Sequence, residues 1–191
     1  AFRQIGMFLS PELDSRYGWF PVVDESTLVF GAPHANGRRG RVYVCDAQAG
    51  GGVIELVDDQ GNPGDQFGNC VAVDGETIVV GADAADDGAG AVIVFRNDGG
   101  QWRRTARLIA PDRTPNDRFG RTVDIQGDVI VVGAPGKNKN GRRLRGPREG
   151  AVYVFERVGN SSIQTATLIS PAPPPGEVLG LVVAVASDPI L

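Results

Sequence analysis

Apolar residues in this chain come in short runs, with Gly, Pro, Asn and Asp between them. That pattern predicts β-strands. A helix would need a 3.6-residue period held over about ten residues or more, and no segment shows one. Some runs, such as Thr77 to Val80, are almost wholly apolar and β-branched. Others are apolar on both parities: in Gly150 to Phe155, Ala151, Tyr153 and Phe155 take one face and Val152 and Val154 the other. A strand that is apolar on both faces must be covered on both sides.

The runs repeat. YGWFPVVDESTLVFGAP (Tyr17 to Pro33) is followed by GRVYVC (Gly40 to Cys45). FGNCVAVDGETIVVGAD (Phe67 to Asp83) is followed by GAVIVF (Gly90 to Phe95), and FGRTVDIQGDVIVVGAP (Phe119 to Pro135) by GAVYVF (Gly150 to Phe155). A fourth copy opens at Leu179, so the units start 50, 52 and 60 residues apart. Each unit closes on a further run, RTARLIAP (Arg104 to Pro111), QTATLISP (Gln164 to Pro171) or the weaker GVIELVDD (Gly52 to Asp59). FRQIGMFLSP (Phe2 to Pro11) matches that closing run without a unit before it. Each unit therefore holds four strands, a to d, and the predicted class is all-β, a stack of four-stranded antiparallel propeller blades. The expected organisation is a d strand in 1–11, blades in 12–62, 63–114 and 115–175, and the start of another in 176–191. Gly31, Gly81 and Gly133 end strand b, where the chain must turn out of the sheet or a neighbouring backbone must come close. Gly18, Gly68, Gly120 and Gly180 follow the aromatic residue or Leu, and are expected to let that side chain lie against the next blade.

Composition agrees with many turns. The chain has 27 Gly and 13 Pro among 191 residues, about a fifth, against roughly one-eighth in average usage. The net charge of −4 is modest and gives no sign of a nucleic-acid partner. No apolar run nears the roughly 18 residues of a membrane span. Cys45 and Cys70 both sit in apolar strands, as core thiols or as a pair.

The ordered phrases resemble the FG-GAP repeat of integrin α-subunit propellers and of many secreted proteins. The matching residues are Phe67-Gly68 and Phe119-Gly120, then Gly31-Ala32-Pro33 and Gly133-Ala134-Pro135, with Gly81-Ala82-Asp83 close to them. The resemblance implies a seven-bladed propeller working outside the cytoplasm as a recognition, adhesion or scaffolding module. It also implies that b–c and d–a loops share one face, the face integrins use for ligands. Three blades and two remnants do not close such a ring, so further chain or association of copies is expected to complete it.

Candidate chemistry is sparse. The b–c loop of the third unit carries Lys137, Lys139, Arg142, Arg143, Arg145 and Arg148 before its first acid, Glu149. It is either a contact for an acidic protein or glycan partner or a solvated insertion. Asp83, Asp86 and Asp87 form an acidic b–c loop that is either a weak calcium site or a solvated turn. The a–b turns, Asp24 to Ser26, Asp74 to Glu76 and Gln126 to Asp128, are too tight for the calcium cage of integrin repeats. Asp65 and Asp117, two positions before FG, are expected to cap turns, with Ser15 and Glu177 at the matching positions. His34 is the single histidine and has no evident catalytic partners, so no enzymatic activity is expected. Asn160 opens a glycosylation sequon that matters only in a eukaryotic secretory route. A sugar-binding propeller, and a propeller accompanying a separate catalytic domain, are the alternatives. The first predicts equivalent pockets in successive units, with Trp19 and Trp102 as stacking candidates.

Overall fold

The computed structural model describes residues 14–46, 52–138, 149–159, 161–170 and 178–186. Twelve strands among these form three four-stranded antiparallel sheets, each in chain order. The first holds β1 (Trp19–Asp24), β2 (Thr27–Ala32), β3 (Arg41–Asp46) and β4 (Val53–Leu56). The second holds β5 (Cys70–Asp74), β6 (Thr77–Ala82), β7 (Ala91–Asp98) and β8 (Gln101–Leu108). The third holds β9 (Thr122–Gln126), β10 (Val129–Ala134), β11 (Ala151–Val158) and β12 (Ser161–Leu168). Strands a and b are joined by two-residue hairpins, fixed by the pairs Asp24↔Thr27, Asp74↔Thr77 and Gln126↔Val129. The first turn residue has positive φ in each, at Glu25 (49°), Gly75 (50°) and Gly127 (57°), which matches the turn to the strand twist. Strand d starts earlier than its sequence phrase. Gly99 and Gly100, both left-handed, return the chain so tightly that Asp98 pairs with Gln101.

The middle sheet shows why the strands are apolar on both parities. Ile78, Val80, Ile93 and Phe95 pack with Val29, Val42 and Val44 of the first sheet. Val79, Val92 and Val94 pack with Val123, Ile130, Val132, Tyr153 and Phe155 of the third. At about 1.5–3 kcal/mol per buried Val or Ile side chain, these two seams dominate the favourable energy of the fold. The sheets are arranged radially. Innermost β5 packs against both β1 and β9, whereas the outer strands β8 and β12 barely meet. Sheets that converge on strand a and diverge at strand d are propeller blades.

Backbone glycines set the seam distance. A Cβ on Gly31 would stand 1.9 Å from the Gly68 carbonyl oxygen; Gly81 meets Gly120, and Gly133 meets Gly180, in the same way. Thus the glycine ending strand b touches the glycine opening the next blade. The second glycine is required for another reason than the one expected. Gly68 has φ of +88° and its missing Cβ would press on the Arg41 carbonyl of the preceding blade, 2.5 Å away. Phe67 reaches back into that same seam, not forward, and packs edge to face on Phe95. Leu179 keeps the pattern through a parallel bridge to Gly150, as Phe67 does to Gly40 and Phe119 to Gly90. Cys45 and Cys70 are free, buried core thiols in different sheets, and burial pushes both up from the usual thiol range. Phe2 to Pro11 lies outside the described residues.

Candidate recognition face

The b–c turns of the first two blades are built alike. Asn36 and Gly37, then Asp86 and Asp87, are consecutive left-handed residues. The carbonyls these turns free are taken by the next blade. Gln66 and Phe67 N–H donate to Arg38 and Arg39 at 2.8 and 2.9 Å; Arg118 and Phe119 N–H donate to Gly88 and Ala89 at 2.9 and 3.0 Å. Leu179 N–H donates to Glu149 at 3.0 Å. Backbone bonds thus join each b–c loop to the following d–a loop, and the two loop types form one face. Asp65 and Asp117 cap the d–a turns as expected, accepting from Asn62 and Thr114 N–H at 2.8 and 2.7 Å.

Lys137 does not project from this face. Its Nζ lies 2.9 Å from Asp117 and 3.2 Å from Asp112, and its side chain is 9% exposed. The positions matching it in the first two blades are Ala35 and Ala85, both buried. Lys137 is therefore an internal ionic anchor where the other blades have a methyl group. Tyr153 completes it, donating its hydroxyl to Asp112 at 2.8 Å. Burial, then the bond and charge of Asp112, push the Tyr153 phenol far above its ordinary range. Burial pushes Asp112 up, but hydrogen bonds from Tyr153 and Lys137, and the Lys137 charge, outweigh it and hold the carboxyl below its usual range. Lys139, Arg142, Arg143, Arg145 and Arg148 lie outside the described residues, as does Asn160.

The three acids of the second b–c loop do not converge. Asp86 binds Arg107 at 3.0 Å and Arg113 at 2.9 Å, which ties the loop to its own blade. Asp83 is buried 3.7 Å from Arg121. No group of three or more metal-ligating acids, histidines or cysteines occurs among the described residues.

The model of the FG-GAP repeat matches residues 52–95 and 102–155, together just over half the chain. The chain belongs to the FG-GAP repeat family. No curated protein matches it. Among solved structures it is similar to the N-terminal domain of Nup159, at 12% identity and a TM-score of 0.46 over 76% of this chain and 36% of that one. It is also similar to a chain of the S. cerevisiae Dbp5–Nup159–Gle1 complex, at 11% and 0.46 over 78% and 36%, and to the tricorn protease, at 16% and 0.39 over 75% and 12%. The chain thus spans about a third or less of the solved chains it resembles, and at these scores the likenesses bear no weight beside the repeat and the three blades.

On this FG-GAP face, one polar hollow of about 280 Å³ opens between the second and third blades. Arg121 donates to Asn69 Oδ1 at 3.2 Å and faces Asp83. Asp83 Oδ1 and Asn69 Nδ2 are buried without a hydrogen-bond partner among the described residues. Burial pushes the Asp83 carboxyl up; Arg121 and Arg118 counter this only in part. Gln66, Asp87, Asn116 and Arg118 line the rim. Sequence reasoning missed Asn69, Arg118 and Arg121. The available signal was the polar residue right after each FG, Asn69 and Arg121, before an apolar strand. His34, half-buried in the first b–c turn, lies 3.4 Å from Arg38; burial, then Arg16 and Arg38, depress its pKa.

Proposed function

We propose that this FG-GAP chain is a non-catalytic recognition module working outside the cytoplasm, with a protein partner docking on the face made by the b–c and d–a loops. The observation that carries this is the hollow between the second and third blades. Its loops are held by backbone bonds, which leaves side chains there with hydrogen-bonding capacity the fold does not consume. Asp83 lines the hollow with one carboxylate oxygen that has no hydrogen-bond partner among the described residues, a cost of roughly 1–3 kcal/mol that a polar group entering the hollow would offset. Arg118 and Asp87 at the rim supply charge of both signs, which favours a polar protein surface over an apolar one. The sequence that follows Asn138, from Lys139 to Arg148, adds five basic residues and no acid. The FG-GAP family, whose repeats are generally extracellular, supports the compartment.

Pull-down from the native source tests this, using the whole chain as bait, with Arg118→Glu and, separately, Arg142, Arg143 and Arg145→Glu. The same partner should be retained by the parent and lost in at least one variant, with circular dichroism unchanged. Equal capture by all three would dismiss the face as the docking site.

A further inference from the structure

At the opposite end of the strands, a groove of about 290 Å³ lies between the second and third blades. Its inner wall is apolar, formed by Val94 and Ala106 from one blade and Ile125 and Ile130 from the other. Its mouth carries Thr77, Thr105 and Ser162 hydroxyls, two guanidiniums, Arg96 and Arg157, and the Asp128 carboxylate. The two guanidiniums differ. Arg157 is consumed internally: its Nε donates to Asp128 at 2.6 Å and its N–H to the Asp128 carbonyl at 2.8 Å. Arg96 has no ion pair or side-chain hydrogen bond among the described residues. It pairs instead, strand to strand, with Arg103. Directly opposed like charges in a sheet are destabilising, and among the described residues the Arg103 guanidinium finds only Gln101, at 2.9 Å.

The repeat shows that the fold does not ask for a cation here. The residue paired with the start of strand b is Asp46 in the first blade, Arg96 in the second and Glu156 in the third. The residue opposite Glu156, where the second blade has Arg103, is Ile163. An equivalent groove of about 380 Å³ lies between the first and second blades, but there Asp46, Asn97 and Trp102 stand where this one has Arg96, Arg157 and Ser162. The two grooves share a position and not a chemistry, so of these two described seams only this one places Arg96 and Arg157 at its mouth. An unpaired guanidinium over an apolar wall is complementary to a ligand with an anionic head and an apolar body.

We propose that this groove binds a small organic carboxylate, with the carboxylate on Arg96 and the ligand body on Val94, Ala106, Ile125 and Ile130. An anion there also relieves the repulsion between Arg96 and Arg103. The site lies away from the loop face, so either can fail without the other.

Benzoate is the probe, with benzamide as its neutral isostere and glucose as a neutral sugar. Each is titrated to about 10 mM, the range of weak fragment binding, while backbone amide shifts are followed by NMR. Benzoate should shift Thr77, Gly127 and Ser162; benzamide and glucose should not. Arg96→Asp copies the residue of the first blade, and Arg96→Gln guards against misfolding; either should weaken benzoate at least about tenfold. The proposal is overturned if benzoate leaves those amides unmoved, if benzamide or glucose shifts them equally, or if both Arg96 variants bind as the parent does.

Discussion

Gly81 sits at the seam between the second and third blades, where no side chain fits. Its Cα faces the Gly120 carbonyl so closely that a Cβ would stand 2.0 Å from the oxygen. Backbone cannot yield as a side-chain tip can, so the blades themselves would have to part. Gly81→Ala is expected to cost about 3 kcal/mol or more. Gly52→Ala, where nothing lies within 4 Å, should stay within roughly 0.5 kcal/mol. Urea midpoints of the two variants against the parent measure both, and equal midpoints would remove the seam argument. Asp112 gives a second test at this scale. Its carboxyl is held below its ordinary value of 3.8 by Tyr153 and Lys137, against an opposing push from burial. A depressed folded pKa contributes stability above the unfolded value and loses it as pH falls through the folded one. The parent should therefore exceed Asp112→Asn in stability at pH 5 to 7, and the gap should close as pH drops below about 3.8. A gap that persists in strong acid would show that the contribution is packing and not charge. The sequence made the glycines conspicuous but not their reasons: whether a missing Cβ serves a turn, a ring or a neighbouring backbone depends on where the next sheet stands.

Strands were the most legible elements because burial on both faces leaves an uninterrupted apolar signature. Cys70 to Asp74 and Thr77 to Ala82 could hardly be other than adjacent strands around a two-residue turn. What the pattern hid was the contact between successive turns. Asp24 accepts the Gly75 N–H at 2.7 Å, and Asp74 accepts the Gly127 N–H, so the end of strand a in one blade caps the hairpin of the next. In the third blade the position is Gln126, and Asp124 instead accepts Val185 N–H at 2.7 Å. Carboxylate–amide bonds at a partly exposed edge are worth about 1 kcal/mol. Asp74→Ala should thus lower unfolding free energy by roughly that amount, and Asp24→Ala by a similar one, whereas Gln126→Ala, with no such bond among the described residues, should cost less. Calorimetry of the three variants reads the order directly; a Gln126 variant as damaged as the other two would exclude the ladder. Lys137 illustrates the converse limit. In the sequence it opens a basic run and reads as displayed charge, yet its partners, Asp112 and Asp117, lie 25 and 20 residues earlier. Asn69 and Arg121 likewise look like the wet margin of a strand until two blades bring them within hydrogen-bond range.

A molecule built of blades that touch only their neighbours should unfold by neighbours. The approximation for such arrays is a sum of unit stabilities and interface terms. The middle blade has two described seams, each lined by residues without solvent exposure such as Val79 and Val80. β1, by contrast, bears exposed Phe20 and Val23 and an irregular register between Trp19 and Val22. Local opening follows buried contact density. Amide hydrogen exchange should therefore be slowest in β6 and β7, reaching the free energy of global unfolding, and fastest among the strands in β1 and β12, whose Ile163 and Leu168 are also exposed. The seams should respond separately. Gly31→Ala injures the contact with Gly68, so it should speed exchange in β2 and β3 while leaving β10 and β11 nearly unchanged; Gly133→Ala, which injures the contact with Gly180, should do the reverse. Uniform protection across all three sheets, lost uniformly in either variant, would mean that the blades fold as one indivisible unit and that coupling reaches well past the nearest seam.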